Sequence, residues 1–133
     1  MVDEMTSRNE VRVGRWLIYG ILDPRFKKLI YVGKTHKRRE IRLAEHIERA
    51  CEGRMAPIYI RIREILLSGQ TPQIFVLVRV PPNVSWQREE QNQIHHWRNI
   101  DLTSLPIIYL PQTKKSEIVE IRSAEILNVR DGG

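Results

Sequence analysis

The feature that most constrains the fold is a pair of apolar segments, rich in β-branched and aromatic residues, on either side of a short polar turn. The first segment covers residues 12–22, RVGRWLIYGIL, and the second covers residues 29–33, LIYVG. The intervening DPRFK contains the aspartate and proline that turns favour. The sequence therefore predicts a β-hairpin near the start of the domain.

Three helices are predicted after the hairpin. The first lies in KRREIRLAEHIERACEG, where Leu43, His46 and Ile47 share one face and Gly53 supplies a stop. The second extends from Pro57 to Ser68, with proline in its first turn and Ser-Gly at its end. The third lies in NVSWQREEQNQIHHWRN.

The order of the elements predicts the fold class. Asn83 or Ser85 caps the third helix, the strand PQIFVLVRV precedes it, and the short strand PIIYL at 106–110 closes the domain. The order ββααβαβ predicts an α+β domain over residues 11–110, with a small antiparallel β-sheet of about three strands flanked by helices. Residues 1–10 are predicted to be flexible. For the tail, 111–133, the sequence allows the prediction of one more helix around SEIVEIRSAEIL.

Length and composition limit the class of protein. A chain of 133 residues with 41% hydrophobic content has the length of one compact domain. The single cysteine, Cys51, cannot form an internal disulfide, which favours a cytoplasmic location. The first ten residues are acidic and polar, unlike a signal peptide, and the longest apolar run, IFVLV, is too short to span a bilayer. We therefore expect a soluble protein with no membrane partner.

The positive charge is concentrated in one stretch. Residues 25–54 contain ten Lys or Arg and four Glu, a surplus equal to the net charge of +6. Such a patch suits a polyanion, with nucleic acid first and an anionic membrane second. A solvated face of a basic protein is the simpler alternative.

Each predicted strand of the hairpin carries a tyrosine. With a turn from Asp23 to Lys27, paired positions add up to about 50, which places Tyr19 directly across from Tyr31. Cross-strand neighbours share a face, so the hydroxyls lie side by side, whereas a slip of one residue separates them. An aromatic pair in a core is the ordinary interpretation, although buried hydroxyls need partners.

Lys34 ends the second strand in the motif GKT. A phosphate-binding loop needs a glycine five positions earlier, and position 28 is lysine. We therefore predict no nucleotide cofactor and interpret Lys34 as a cation directed toward whatever the tyrosines face.

Arg42 and His46 lie one turn apart on the first helix. A guanidinium binds phosphate oxygens with paired donors, and an imidazole transfers protons. A histidine in an apolar stripe is, however, more often a packed core residue.

A carboxylate interrupts the apolar stripe of the third helix. Trp86, Glu90, Ile94 and Trp97 are spaced by four, four and three residues. Burying an ionised carboxylate without a partner is costly, so Glu90 should meet an arginine or a divalent metal. A structural ion pair fits the pattern equally well.

Four motifs, taken in order along the chain, resemble those of the GIY-YIG nuclease superfamily. They are LIYGI with Tyr19, YVGKT with Tyr31, RLAEH with Arg42 and His46, and EQNQI with Glu90. The resemblance covers residues 14–110 and extends to the apolar second helix that leads into the third strand. It implies a GIY-YIG-like fold.

The resemblance also implies a function, namely hydrolysis of phosphodiester bonds in double-stranded DNA with one divalent ion per site, Mg²⁺ or Mn²⁺. By this resemblance Glu90 holds the metal and Arg42 binds the scissile phosphate. Tyr19 acts on or near the attacking water, while Tyr31 and His46 assist its position and proton transfer. The resemblance leaves open whether Tyr19 or His46 is the general base.

Basic residues complete the expected site. Lys34 helps to polarise it, and the neighbouring cations Lys37, Arg38 and Arg39 are expected to contact DNA phosphates. Lowering the pKa of a tyrosine from about 10 to about 7 takes roughly 4 kcal/mol of favourable charge interaction. We expect Lys34, Arg42 and the metal to supply it.

The chain departs from the family pattern at three places. Leu17 replaces the glycine that opens the first motif, and one extra residue lies between Tyr31 and Arg42. Many family members carry an asparagine near the last strand, but DLTSLPIIYL has none, and Asn99 is a doubtful substitute.

Two alternatives to an endonuclease stay open. One is a catalytically inactive nucleic-acid-binding module on the same scaffold, and the other is a protein-interaction or membrane-surface domain. A homodimer would suit an enzyme that cuts both strands. The target sequence and the biological role do not follow from these motifs.

Overall fold

The structure is a computed structural model that describes residues 12–100, 107–112 and 117–129, with the backbone alone at 12–14. The predicted flexible segment, 1–10, lies outside the described residues. The α+β class is confirmed. In chain order the elements are β1 (Arg12–Asp23), β2 (Lys28–Lys37), α1 (Arg39–Cys51), α2 (Pro57–Leu67), β3 (Gln73–Arg79), α3 (Trp86–Asn99), β4 (Ile108–Pro111), β5 (Ile118–Ile121) and β6 (Ser123–Ala124).

Four of the strands form one mixed sheet in the order β3-β1-β2-β6. β1 pairs antiparallel with both β2 and β3, as expected for a small antiparallel sheet, and β6 runs parallel to β2. The PIIYL segment was expected to close the domain. It contributes β4, which pairs antiparallel with β5 in a separate two-stranded sheet.

The three helices lie close to their predicted positions. Of the two caps considered for α3, Ser85 is the one observed, and its side chain accepts a hydrogen bond from the Arg88 N–H at 3.2 Å. In the described part of the chain, no helix combines the length and the apolar character that crossing a membrane requires.

Helices cover both faces of the four-stranded sheet. Because side chains of a strand alternate between faces, Ile18 lies in the core beneath α3, and Tyr19 lies in the core beneath α1 and α2. Each large apolar side chain buried in this way contributes about 1.5–3 kcal/mol. The core residues from the helices are Ile94 and Trp97 of α3 on the first face, and Ala50 of α1 with Ile58, Ile62 and Ile65 of α2 on the second.

The tail corrects one prediction. SEIVEIRSAEIL was expected to form a helix, but it contributes the strands β5 and β6. Val119 and Ile121 are buried and alternate with more exposed neighbours, which is the period of a strand. Tertiary pairing outweighs helix propensity because the edge of β2 offers backbone groups that need partners. The N–H groups of Arg122, Glu125 and Leu127 donate to the carbonyls of Lys27, Leu29 and Ile30, each at 2.8 Å.

A primary amide extends the pairing at each side of the sheet. Asn128 Oδ1 accepts from the Val32 N–H at 3.1 Å, and its Nδ2 donates to the Val32 carbonyl at 2.7 Å. Gln112 makes the same two bonds to Val76 of β3, at 2.7 and 3.1 Å. Each side chain thus imitates one residue of a further strand.

Replacing the amide of Asn128 should destabilise the fold. Asn128→Ala leaves the buried N–H and carbonyl of Val32 without partners, so we expect a loss of about 2–3 kcal/mol in the free energy of unfolding. Urea denaturation followed by circular dichroism measures it. The control is Asn99→Ala, since Asn99 is exposed at the end of α3 and its loss should cost less than about 0.5 kcal/mol. Equal losses in the two variants would contradict the role of Asn128.

Candidate active site

The two tyrosines of the hairpin share a face but are not directly opposite. Tyr19 pairs with Gly33, and Tyr31 pairs with Ile21, so the predicted register is wrong by two residues. Because the shift is even, Tyr19 and Tyr31 remain on the same face as diagonal neighbours, with ring centroids 6.3 Å apart.

Two local features produce this shift in register, and each of them moves the pairing by one residue. The turn is shorter than predicted, because Asp23 pairs with Lys28. The ladder then changes register, leaving Ile30 of β2 as an extra residue between the pairs made by Leu29 and Tyr31. A single one of these changes would have moved the tyrosines to opposite faces.

Gly33 makes room for the ring of Tyr19. A Cβ atom at position 33 would lie 2.5 Å from Cζ of Tyr19 and 2.9 Å from its Cε2. Only glycine therefore allows the ring to lie across this part of β2. Sequence analysis did not assign this role, and its signal is a glycine inside a strand, which often marks a close approach.

Two side chains of α1 hold the Tyr19 hydroxyl. Tyr19 Oη lies 2.7 Å from His46 Nε2, and it accepts a hydrogen bond from Arg42 Nε at 3.1 Å. Both side chains reach the same atom because they are one helical turn apart on a helix that packs over the Tyr19 face. The structure thus brings together three residues that the sequence motifs single out.

The imidazole of His46 makes its hydrogen bond through one nitrogen. Nε2 bonds to Tyr19 Oη, whereas Nδ1 is buried and has no hydrogen-bond partner among the described residues. Either tautomer leaves one buried donor unpaired, the Nδ1–H of His46 or the O–H of Tyr19, at a cost of about 1–3 kcal/mol. The rings of Tyr31 and Tyr59 lie against the imidazole, with centroids 5.3 and 6.0 Å away. Tyr59 was missed by sequence analysis.

Burial dominates the protonation of this cluster. Desolvation raises the pKa of Tyr19 well above its ordinary value, although Arg42 lowers it. Burial also raises the pKa of Tyr31 to about 12 and lowers the pKa of His46 to about 3. At neutral pH the protein alone therefore holds two phenols and a neutral imidazole. Arg42 by itself does not bring the pKa of Tyr19 below its ordinary value, and the lowering expected from Lys34, Arg42 and a divalent metal together stays a prediction.

Glu90 lies on α3 and is 3% exposed. Burial raises the pKa of Glu90, and the charge of Lys34 opposes that rise. The charge of Glu90 in turn helps to raise the pKa values of Tyr19 and Tyr31, so the carboxylate is within electrostatic reach of both hydroxyls. The cation whose charge acts on Glu90 is thus Lys34 rather than an arginine. Lys34 Nζ also lies 5.3 Å from the centre of the Trp86 ring.

The possible metal ligands around Glu90 fit a metal ion that takes most of its ligands from water and substrate rather than from the protein. Among the described residues, no three His, Cys, Asp or Glu side chains form a group that could hold a metal. Mg²⁺ typically uses one or two carboxylates and completes its shell with water and substrate phosphates. Glu90 offers one buried carboxylate whose charge Lys34 compensates only in part, so it suits such an ion.

Glu45, which sequence analysis did not single out, joins two of the expected phosphate-binding cations. Its Oε1 accepts from Arg42 Nη1 at 2.9 Å, and its Oε2 pairs with Lys37 Nζ. Although burial raises the pKa of Glu45, the bonds to Lys37 and Arg42 hold it below its usual value. The signal in the sequence is the spacing of three residues between Arg42 and Glu45 on a helix.

Other cations of the basic stretch are also paired. Arg39 donates to Glu117 Oε1 at 2.7 Å and to Gln112 Oε1 at 3.0 Å, which ties α1 to the segment around β4 and β5. Arg25 binds the buried carboxylate of Asp23 at 2.8 Å. Arg38 is exposed just before α1. The positive field is therefore weaker than the count of residues indicates.

Comparisons with models of protein families, with curated proteins and with solved structures found no match.

Substituting Gly33 should disturb the fold through Tyr19. The added methyl group of Gly33→Ala meets the Tyr19 ring, so we expect a loss of about 1–3 kcal/mol in the free energy of unfolding. A double-mutant cycle with Tyr19→Ala isolates the cause, because the cost of the alanine should shrink when the ring is gone. An undiminished cost in the Tyr19→Ala background would rule out the contact as its origin.

His46 should make stability depend on pH. The folded protein keeps His46 neutral down to a pKa of about 3, whereas the unfolded chain binds a proton below about 6.5. The unfolded state therefore binds more protons in this window, and lowering the pH from 7 to 5 should remove about 2 kcal/mol of stability through His46. Urea denaturation of His46→Asn should show a shallower pH dependence than the wild type.

The matched control for that measurement is His95→Asn. His95 is exposed on α3, so its loss should leave the wild-type pH dependence intact. If His46→Asn kept the full dependence, or if His95→Asn removed it, the assignment of the pH effect to His46 would be wrong.

Proposed function

We propose that this protein is a metal-dependent DNA endonuclease with an active site of the GIY-YIG type. The observation that carries the proposal is the cluster around the Tyr19 hydroxyl, where Arg42 and His46 both contact Oη. Tyr31 lies beside them, and the charge of Glu90 reaches both tyrosines. Motifs from β1, β2, α1 and α3 thus meet at one place. An ordinary core offers no reason to assemble five polar groups there.

Arg42 binds the phosphate that is cleaved. Its planar guanidinium presents paired donors to the non-bridging oxygens, and its Nε remains bonded to Tyr19. Lys34, which already lies beside Glu90, adds a second positive charge. These fixed cations stabilise the charge that builds up on the phosphate during attack, which is usually the largest catalytic term.

Tyr19, rather than His46, accepts the proton of the attacking water, and it does so as a phenolate, after its own phenolic proton has been released to bulk water on binding of the substrate. Nε2 of His46 already faces Tyr19 Oη, and a pKa of about 3 disfavours proton uptake by the imidazole. Hydrogen bonds from His46 and Arg42 both stabilise a phenolate at Tyr19. Because burial raises the pKa of Tyr19, the phenolate needs further positive charge in the site. A divalent ion bound through Glu90 would supply such charge and polarise the phosphate.

A nucleic-acid-binding module without catalysis is the second candidate. The observation that favours it is the complete burial of Tyr19, which is 0% exposed. In that case Tyr19 and His46 form a packed polar core, and the basic side chains around it serve for binding alone.

Plasmid nicking by matched acidic variants tests the proposal. Purified protein should convert supercoiled plasmid to the nicked form with Mg²⁺ or Mn²⁺, and a chelator should stop the reaction. Glu90→Gln removes the carboxylate while keeping the shape of the side chain, so the rate should fall on the order of 100-fold. Glu89→Gln, one residue earlier on the same helix, should keep the wild-type rate.

Each remaining outcome decides against the endonuclease or against Glu90 as its specific metal ligand. DNA binding without cleavage under any metal, with affinity falling as salt rises, indicates the binding module. Equal losses in Glu90→Gln and Glu89→Gln would show that general charge, not a specific ligand, supports the activity. A protein that neither binds nor cuts DNA would remove both candidates.

A further inference from the structure

The strongest feature outside the proposed chemistry is the position of Glu45. Its two carboxylate oxygens each take one cation, Arg42 through Nη1 at 2.9 Å and Lys37 through Nζ. Two non-bridging oxygens of a phosphodiester present the same pattern of acceptors, a short distance apart and carrying one negative charge. The pair Arg42 and Lys37 is therefore arranged for an anion of this shape.

Arg42 covers the Tyr19 hydroxyl while it is bound to Glu45. Its Nε lies 3.1 Å from Tyr19 Oη, and its Cζ lies 5.9 Å from the centre of the Tyr19 ring. Tyr19 is 0% exposed as a result of this and the surrounding packing. Water therefore has no access to the hydroxyl in this arrangement.

The contact of Glu45 with Lys37 can be exchanged at low cost. The side chains of Lys37 and Glu45 are 44% and 26% exposed, and ion pairs open to solvent typically contribute about 0–1 kcal/mol. The Arg42 side chain is 19% exposed, so its carboxylate has to be replaced by another anion. A DNA phosphate carries the same charge and arrives with many neighbouring phosphates, so it can compete with a single carboxylate for the two cations.

We propose that Glu45 takes the place of a DNA phosphate between Arg42 and Lys37 in the free protein, and that a phosphodiester displaces it on binding. Arg42 then exchanges the Glu45 carboxylate at Nη1 for the phosphate while its Nε stays on Tyr19 Oη, so that the phosphate reaches its place beside the tyrosine only when Glu45 has left. Glu45 is thus a positioning residue that occupies the phosphate subsite in the free protein. This inference rests on the proposed function.

Affinity for DNA in the presence of a chelator tests this inference without requiring cleavage. Glu45→Gln and Glu48→Gln change the net charge equally and lie on the same helix, but Glu48 is exposed. Fluorescence anisotropy with a short labelled duplex should show Glu45→Gln binding about three- to tenfold more tightly than Glu48→Gln. In a Lys37→Gln background this advantage should shrink, because one of the released cations is missing.

Inorganic phosphate at constant ionic strength distinguishes the source of the anion. If the subsite is built for DNA, phosphate at millimolar concentration should compete no better than chloride. Strong competition would assign the subsite to a free phosphate instead and overturn the inference.

Three further outcomes would overturn it. Equal affinities of Glu45→Gln and Glu48→Gln would mean that Glu45 has no special place. Weaker binding by Glu45→Gln would mean that the carboxylate merely orients Arg42 for the phosphate. Absence of DNA binding by the wild-type protein would remove the inference together with the proposed function, whereas binding without cleavage would remove the function alone.

A second pair of variants keeps the inference testable if Glu45→Gln fails to fold, as judged by circular dichroism. Lys37→Gln removes a cation of the subsite, and Lys27→Gln removes one from the hairpin turn. Lys37→Gln should weaken DNA binding several-fold more than Lys27→Gln. Equal effects would show that Lys37 contributes only general charge.

Discussion

The hydrogen bond between Tyr19 and His46 is the interaction on which the arrangement of the site depends. It joins β1 to α1 across a fully buried region, at 2.7 Å, where a lost partner would leave a phenol or an imidazole without compensation. Several features have to be correct for it to form. Gly33 has to lack a side chain, α1 has to present His46 one turn after Arg42, and the hairpin has to keep both tyrosines on the helical face.

The same burial that fixes these groups also opposes their chemistry. Desolvation raises the pKa of Tyr19 and lowers that of His46, so each group is held in its neutral form. If the protein is the endonuclease proposed above, its site becomes reactive only when charge is brought to it from outside. Substrate and metal would then be part of the electrostatic balance rather than additions to a prepared base.

Local sequence patterns predicted most of the helices and strands. The features that depend on pairing between distant segments were not predicted. The hairpin, the three helices and the Ser85 cap follow from periodicity and capping chemistry that act within a few residues. The register did not follow, since it depends on a shorter turn and on the extra residue Ile30, neither of which has a distinctive sequence. The tail was misjudged because Glu, Ala and Leu favour a helix in isolation, while the alternation around Val119 indicates a strand.

The distribution of charge around the site was also only partly predictable from local sequence. Counting cations over residues 25–54 located the basic region, but it did not show which carboxylates neutralise them, and Glu117, the partner of Arg39, comes from a distant element. Gly33 and Tyr59 were missed for a related reason, because their importance lies in what they touch. Spacing along one helix, by contrast, brought Arg42 and His46 together as predicted.

The amide side chains at the two sides of the sheet have a consequence for how this protein meets other molecules. Asn128 and Gln112 each saturate the outward N–H and carbonyl of one strand residue, Val32 and Val76. At those points the sheet cannot be lengthened by a strand from a second molecule, which is a common route to aggregation. An added strand would have to pair at other residues of the sheet, so Val32 and Val76 are protected from this kind of contact.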